Sequence, residues 1–476
     1  MHLPIHLDRT LDTPLQNQLF DQIRGLILEG HLPSDNRIIA SRLLSEQLQV
    51  SRTTVLLVYD RLIAEGYLET RPAVGTFVCR SLPETDRAAA VPATSTRHVS
   101  PLESRGLAID FALAPDPALF PGKAWFRIGQ AQRLPALATI DDRGLPALRA
   151  AIADWLAIHR AIVADPEQIL ILSGVPQALA VAAALAGIRG RRVILEAPGE
   201  VQARSLFESL GGVPIGCPAG AEGIETTCLP EGPAALAYVT PARQRPLGTT
   251  LPPARRQRLL AWAAGAGAMI LEDDRDGDFR FEGSTPPSLF SLDETGSIIC
   301  LRGMAETLRS GTRLAYLVLP RRLTDAARRA KSRLDDGPPW LEQAILAEFI
   351  SSGDYDRHLR RTRKMLLERR DALVTALFGH FGPIDLLGTA TGSHVAWRLP
   401  SHFPRTDLIQ AKAAARSVGL HRPDGKDGLL LLGYGALPKE KISRGAALLA
   451  AALSERHAGP AGTMLTAVRT GASAAP

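Results

Sequence analysis

The stretch LQVSRTTVLLVYDRLIAEGYLETRPAVGTFV, residues 48–78, reads as a helix followed by a two-strand ribbon. Ser51 is placed to cap the helix, and Gly66 to end it in the left-handed conformation that glycine adopts without penalty. YLETRPAVGTFV then predicts two short strands around a turn at Ala73–Gly75. Working outward, QVS is a short turn, and SRLLSEQL before it predicts a second helix with Ser41 as its cap. Further upstream, residues 14–30 place Leu15, Leu19, Ile23, Leu26 and Ile27 on one face at the 3.6-residue period of a helix.

Two helices joined by a tight turn and followed by a β-ribbon make a winged helix-turn-helix. In such a unit the N-terminal turn of the second motif helix enters the major groove. Here that turn is Ser51, Arg52, Thr53 and Thr54. Arginine can read guanine edges or hold phosphate, and hydroxyls at a helix N-terminus can contact phosphate. Arg42, Arg71 in the wing and Gly75 at its tip complete the candidate DNA-binding set. Three short helices and a hairpin also suit a small protein-interaction domain. The net charge of +6 and pI near 9.3 favour an anionic partner only in combination with such a reading element.

The chain has 476 residues, 45% hydrophobic and 22% charged, enough for two to four domains with a sizeable core. No run of about 18 apolar residues free of charge is present, so no membrane span is expected. MHLPIHLDRT carries charge early and has no apolar core, which argues against a secretory signal, and the scattered cysteines favour a reducing cytoplasm. Cys79, Cys217, Cys228 and Cys300 show no CxxC spacing, which speaks against a disulfide framework or a zinc site. Residues 1–79 read as the winged unit and 80–106 as an Ala/Ser/Thr/Pro linker. Residues 107–456 read as a large domain, and 457–476 as a disordered tail. In the large domain, apolar runs at 168–174, 192–198, 235–241, 268–274, 297–303 and 313–320 alternate with helical stretches. That pattern predicts an α/β fold with a mostly parallel central sheet.

The segment from Leu48 to Val78 resembles the DNA-binding domain of the GntR family, with Ile39-Ala40 and Ala73 as small departures. The large domain resembles fold-type I aminotransferases as fused to GntR domains in the MocR regulators. The resemblance is carried by GLPALRAAIADWLAIHRAI (144–162), ILILSGVPQAL (169–179) and TPARQRPLGTTLPPARRQRLLAWA (240–263). It continues through ILEDDRDGDFRFEG (270–283) and IICLRGMAETLRSGTRLAYLVLP (298–320). It implies a pyridoxal phosphate (PLP) fold, homodimers and double-stranded promoter DNA as partner.

PLP chemistry asks for a lysine that forms the Schiff base and a carboxylate that pairs with the pyridine nitrogen. It also asks for a phenol at the ring oxygen, and for an arginine and helix N–H groups on the phosphate. Carried over by motif, the carboxylate falls on Asp273 and the phosphate arginine on Arg313, but the lysine position falls on Glu306 and the phenol on Arg275. Pro176 in the phosphate turn has no N–H to offer. Lys123, Lys331, Lys364, Lys426, Lys439 and Lys441 lie outside any matching motif. The expectation is a regulator rather than an enzyme, with no covalent cofactor and PLP binding doubtful. A PLP enzyme or PLP sensor using a displaced lysine is the alternative, and a basic nucleoid protein a third. Asp273 and Arg313 also suit a purely structural role. A buried Glu306 needs a partner, and Arg275 is the expected one, leaving Arg313 and Arg245 to attract a small anionic effector.

Overall fold

The computed structural model describes residues 5, 7–8, 14–28, 31–71, 74–79, 107–113, 116–133, 141–275, 277–308, 312–335, 337, 339–423 and 427–454. The proposed linker and tail fall outside them. The chain divides into two compact units, residues 1–101 and 102–476.

In the first unit, helix α1 (Leu15–Leu28) buries Leu19, Phe20, Ile23 and Ile27. Leu15 and Leu26 are only half-buried, because the buried stripe turns to admit Phe20. Helix α2 (Ser41–Leu48) starts one residue earlier than its serine suggested. The amide of Leu44 donates to Ala40 O at 3.0 Å, which closes the first turn on Ala40; that residue is the cap and contributes no side-chain acceptor. Helix α3 (Arg52–Ala64) is capped by Ser51 and packs Val55, Val58, Tyr59 and Leu62 onto α1 and α2. Gly66 takes φ +81°, and the amide of Tyr67 donates back to Leu62 O, a left-handed helix stop. The wing follows: β1 (Leu68–Arg71) pairs antiparallel with β2 (Gly75–Val78), Leu68 opposite Val78 and Arg71 opposite Gly75.

The second unit begins with β3 (Ile109–Asp110) and is built on β4 (Ile169–Leu172), β5 (Arg192–Ala197), β6 (Val213–Gly220), β7 (Gly223–Ile224), β8 (Leu236–Val239), β9 (Met269–Asp273), β10 (Ile298–Gly303) and β11 (Ala315–Val318). These eight, β4 to β11, form one sheet in the order β4-β11-β10-β9-β8-β5-β6-β7. The six apolar runs read from sequence are β4, β5, β8, β9, β10 and β11. Strand β6, VPIGCPAG, escaped that reading because two prolines and two glycines break its apolar run. The core is parallel; β11 runs antiparallel to both neighbours. The chain reverses between β10 and β11, with the Met304 amide donating to Leu314 O at 2.9 Å.

Each face of the sheet is buried separately. Along β4, Ile169 and Ile171 enter one core, while Leu170 and Leu172 enter another. Burial on both faces is what a parallel sheet covered by crossover helices requires. A C-terminal portion adds β12 (Asp385–Leu387), β13 (His394–Arg398), β14 (Val418–Gly419) and β15 (Leu429–Gly433). It is supported by the 28-residue helix Asp354–Phe381 packed on helix Lys439–Ser454.

Candidate functional site

The first turn of α3 is a prepared surface. Ser51 Oγ accepts from the Thr54 amide at 3.0 Å and lies 2.7 Å from the Thr54 hydroxyl, so these two residues hold the turn rather than project from it. Arg52 and Thr53 are exposed, and Arg52 has no ion pair among the described residues. Arg42 is exposed beside Glu46 at 3.3 Å. Arg71 is held on the wing by Asp35 and Glu69 and lies over the Phe77 ring at 4.3 Å. Gly75, at φ +138°, lies so close to Arg37 that a methyl group there would meet Nε at 2.7 Å. Sequence reasoning missed Leu56 and Leu57, 40% and 49% exposed on α3. Their apolar character pointed to core, and only the folded helix shows them facing out.

In the second unit, the C-terminal ends of the parallel strands converge, as ligand sites in open α/β sheets do. Asp273 ends β9 and is buried. Its two carboxylate oxygens accept from Arg275 Nε at 2.9 and 2.8 Å, and Oδ2 also accepts from the Tyr238 hydroxyl at 2.5 Å. Arg275 Nη2 donates to Glu200 Oε2 at 3.1 Å and to the Tyr238 hydroxyl at 3.3 Å. Glu200 follows β5 and also pairs with Arg245 Nε at 3.2 Å. Arg245 Nη1 then donates to Glu306 Oε1 at 3.3 Å. Alternating charges thus run Asp273–Arg275–Glu200–Arg245–Glu306. Burial opposes the Arg275 charge, but Asp273, Tyr238 and Glu200 together outweigh it and hold the guanidinium pKa well above its usual value. Burial and the same carboxylate push the Tyr238 phenol well up, so it remains a donor.

Beneath this chain lies a second carboxyl. Glu196 is fully enclosed and accepts from the Thr240 amide and Gln244 Nε2, each at 3.3 Å, and from the Thr240 hydroxyl. Burial pushes its pKa up to about 7, against the opposing pull of those donors. The Thr240 hydroxyl in turn accepts from the Arg245 amide at 3.1 Å, tying the buried carboxyl to the cleft.

The geometry corrects one expectation. Arg275 is engaged by Asp273, Glu200 and Tyr238, not by Glu306, which among the described residues pairs with Arg245. Asp273 lies nearer to Arg275 in the chain and is more deeply buried, so it takes the fork. Of the sequence candidates, Asp273, Arg275, Arg245 and Glu306 come together. Arg313 does not line the cleft: it is exposed, with its backbone passing beside Gly174. The cleft holds about 190 Å³ and is lined by Glu200, Arg245 and Glu306 together with His394 and Arg422. Arg422 is exposed and has no ion-pair partner among the described residues. Glu200, Tyr238, His394 and Arg422 went unnoticed because no motif marks them; they reach the site from separate elements.

The profile of the aminotransferase class I and II family matches residues 135–388, and that of the gntR family of bacterial regulatory proteins matches residues 15–78. The chain is 34% identical over 393 residues to a probable rhizopine catabolism regulatory protein, MocR, of Rhizobium meliloti, covering 79% of each chain. It is 31% identical over 462 residues to an uncharacterized HTH-type transcriptional regulator of Bacillus subtilis, covering 94% of this chain and 97% of that one. The chain belongs to the MocR family of GntR-type regulators. Among solved structures, the large unit of this MocR-family chain is similar to LysN, an α-aminoadipate aminotransferase of Thermus thermophilus solved with N-(5'-phosphopyridoxyl)-L-leucine. The TM-score is 0.64 at 27% identity, over 72% of this chain and 92% of that one.

An aminotransferase fold implies PLP, and the residues of this member do not fit it. No lysine is among the described residues lining the cleft. The carboxylate suited to a pyridinium already receives Arg275 and Tyr238. Helix Val175–Ala186, suited to the phosphate, starts with Pro176 in its first turn, and the Ser173 amide beside it donates to Gln177 Oε1 at 2.7 Å. Lys331, the one buried lysine among the described residues, is bound to Asp335 at 2.8 Å.

Proposed function

We propose that this MocR-family regulator binds promoter DNA through the first turn of α3 and the wing, and that its aminotransferase-like unit performs no PLP chemistry. The observation that carries the reading is the run of paired charges that takes in Glu306, in a cleft with no lysine among its described lining residues. Glutamate cannot form a Schiff base. The exposed Arg52 and Thr53 are the groove-reading candidates, with Arg42, Arg71 and Gly75 positioning the backbone. Leu56 and Leu57 add apolar surface of the kind that contacts thymine methyl groups. The protein acts in the cytoplasm as a homodimer. A small anionic effector would be received by Arg422, because Arg245 is already shared between two carboxylates.

The test has two arms. Duplexes selected by the full chain from a random pool, assayed by gel shift, should be bound in a salt-dependent way; failure to select any sequence removes the DNA reading. Borohydride treatment with PLP should leave no pyridoxyl group on a specific lysine. A stoichiometric adduct seen by mass spectrometry would return the chain to PLP chemistry.

A further inference from the structure

Glu306 at the lysine position accounts for the proposed absence of a covalent bond to PLP, but not for the arrangement around Asp273. We infer that Arg275 is a tethered replacement for the cofactor ring, so that PLP is excluded by two residues rather than one. The inference rests on the proposed absence of PLP chemistry and specifies where the exclusion resides.

A pyridinium offers a carboxylate one N–H and a delocalised positive charge. The Arg275 guanidinium offers the same charge in a planar fork, and both Asp273 oxygens accept from it at 2.8–2.9 Å. The fork then continues to Glu200 at 3.1 Å and to the Tyr238 hydroxyl, so most of its donors are satisfied inside the protein. Its aliphatic stem is seated too. A methyl group on Gly303 would lie 3.1 Å from Arg275 Cδ and 3.0 Å from Val175 Cγ2, so the stem and Val175 close over the end of β10. The side chain is 10% exposed and its carboxylate partner 1% exposed. A ring entering this site would have to strip Asp273 of a buried ion pair before offering its own. Restoring an amine at position 306 leaves that obstacle in place.

The experiment compares wild-type full-length protein with E306K, R275Y and the double variant. Each is incubated with PLP and reduced with borohydride. An introduced lysine amine adds to the PLP aldehyde with loss of water, and hydride delivered to the resulting imine gives a stable secondary amine that mass spectrometry locates. The expected result is little adduct in E306K and at least roughly tenfold more in the double variant. Full labelling of E306K alone would overturn the inference, and so would no gain in the double variant when its melting curve remains cooperative. R275A provides an independent readout. It opens a space lined by Asp273, Glu200 and Tyr238, and added ethylguanidinium should raise its melting midpoint with dose while leaving wild type unmoved. Equal effects on both proteins would count against a specific guanidinium seat. Labelling of wild type itself would instead sink the functional reading above, so the two failures are distinguishable.

Discussion

The winged unit and the large unit use arginine in opposite ways. On α3, Arg52 is exposed and has no ion pair among the described residues, so its charge is available to a partner. In the cleft, Arg275 and Arg245 face inward and are bound by carboxylates of the same chain. A charge kept for a ligand lies in water at little cost; a charge committed to the fold is desolvated and must be matched. The difference separates residues retained for recognition from residues absorbed into structure.

The sharpest way to break this contrast is at Asp274, one residue beyond the cleft carboxylate. It is fully buried between Arg160 and Arg302, and Arg302 also donates to Asp278 at 2.6 Å. Asp274→Ala leaves the buried Arg160 without a carboxylate and Arg302 with Asp278 alone, and should destabilise the large unit by about 3–5 kcal/mol in denaturant unfolding. A loss below about 1 kcal/mol would mean that inward arginines are as free as outward ones.

Next in size is Glu196. Its folded pKa of about 7 stands above its ordinary 4.5, so the folded state holds the proton more tightly than the unfolded chain. The associated stability is complete below pH 4.5 and is lost as pH rises through 7. The amplitude is on the order of 3 kcal/mol. Glu196→Gln should flatten stability against pH across that window, as thermal melts at a series of pH values would reveal; an unchanged slope assigns the titration elsewhere.

On the recognition side, Arg52→Ala should weaken binding to a selected duplex by about 1–3 kcal/mol while leaving the melting curve in place. A change in stability without a change in affinity would reverse its assignment. Ser51→Ala removes the cap and should cost about 1 kcal/mol of stability in the winged unit, with DNA affinity falling only through that loss. The smallest effect is expected for the Arg245–Glu306 pair, whose side chains are 25% and 23% exposed. A double-mutant cycle there should give a coupling below about 1 kcal/mol. A larger value would place Glu306 among the committed charges.

Local chemistry made much of this legible. Ser51, Gly66 and the wing turn act over three to five residues, and the apolar runs from 168–174 to 313–320 have the length and composition of buried strands. Strand β6 was hidden because it sits near the edge of the sheet and tolerates proline and glycine. Ser41 misled because cap preference cannot fix which backbone carbonyl closes the first turn. In the cleft, motif order placed Asp273, Arg275, Arg245 and Glu306 together but not who pairs with whom. That choice depended on Glu200, just past the end of β5, and Tyr238 on β8, which lie 75 and 37 residues from Arg275. Pairing among several neighbouring charges is decided by distance and burial, which no single stretch encodes.

The reversal between β10 and β11 has a consequence for how such a protein can change. Met304 and Leu314 close the loop mouth, while Cys300 opposite Val318 continues the sheet behind it. The backbone frame that carries residue 306 is thus closed by main-chain hydrogen bonds. A lineage could trade one reactive group for another at this place in a single step and keep a foldable chain. The same hinge of sequence offers an engineer a grafting point where chemistry can be exchanged without redrawing the scaffold.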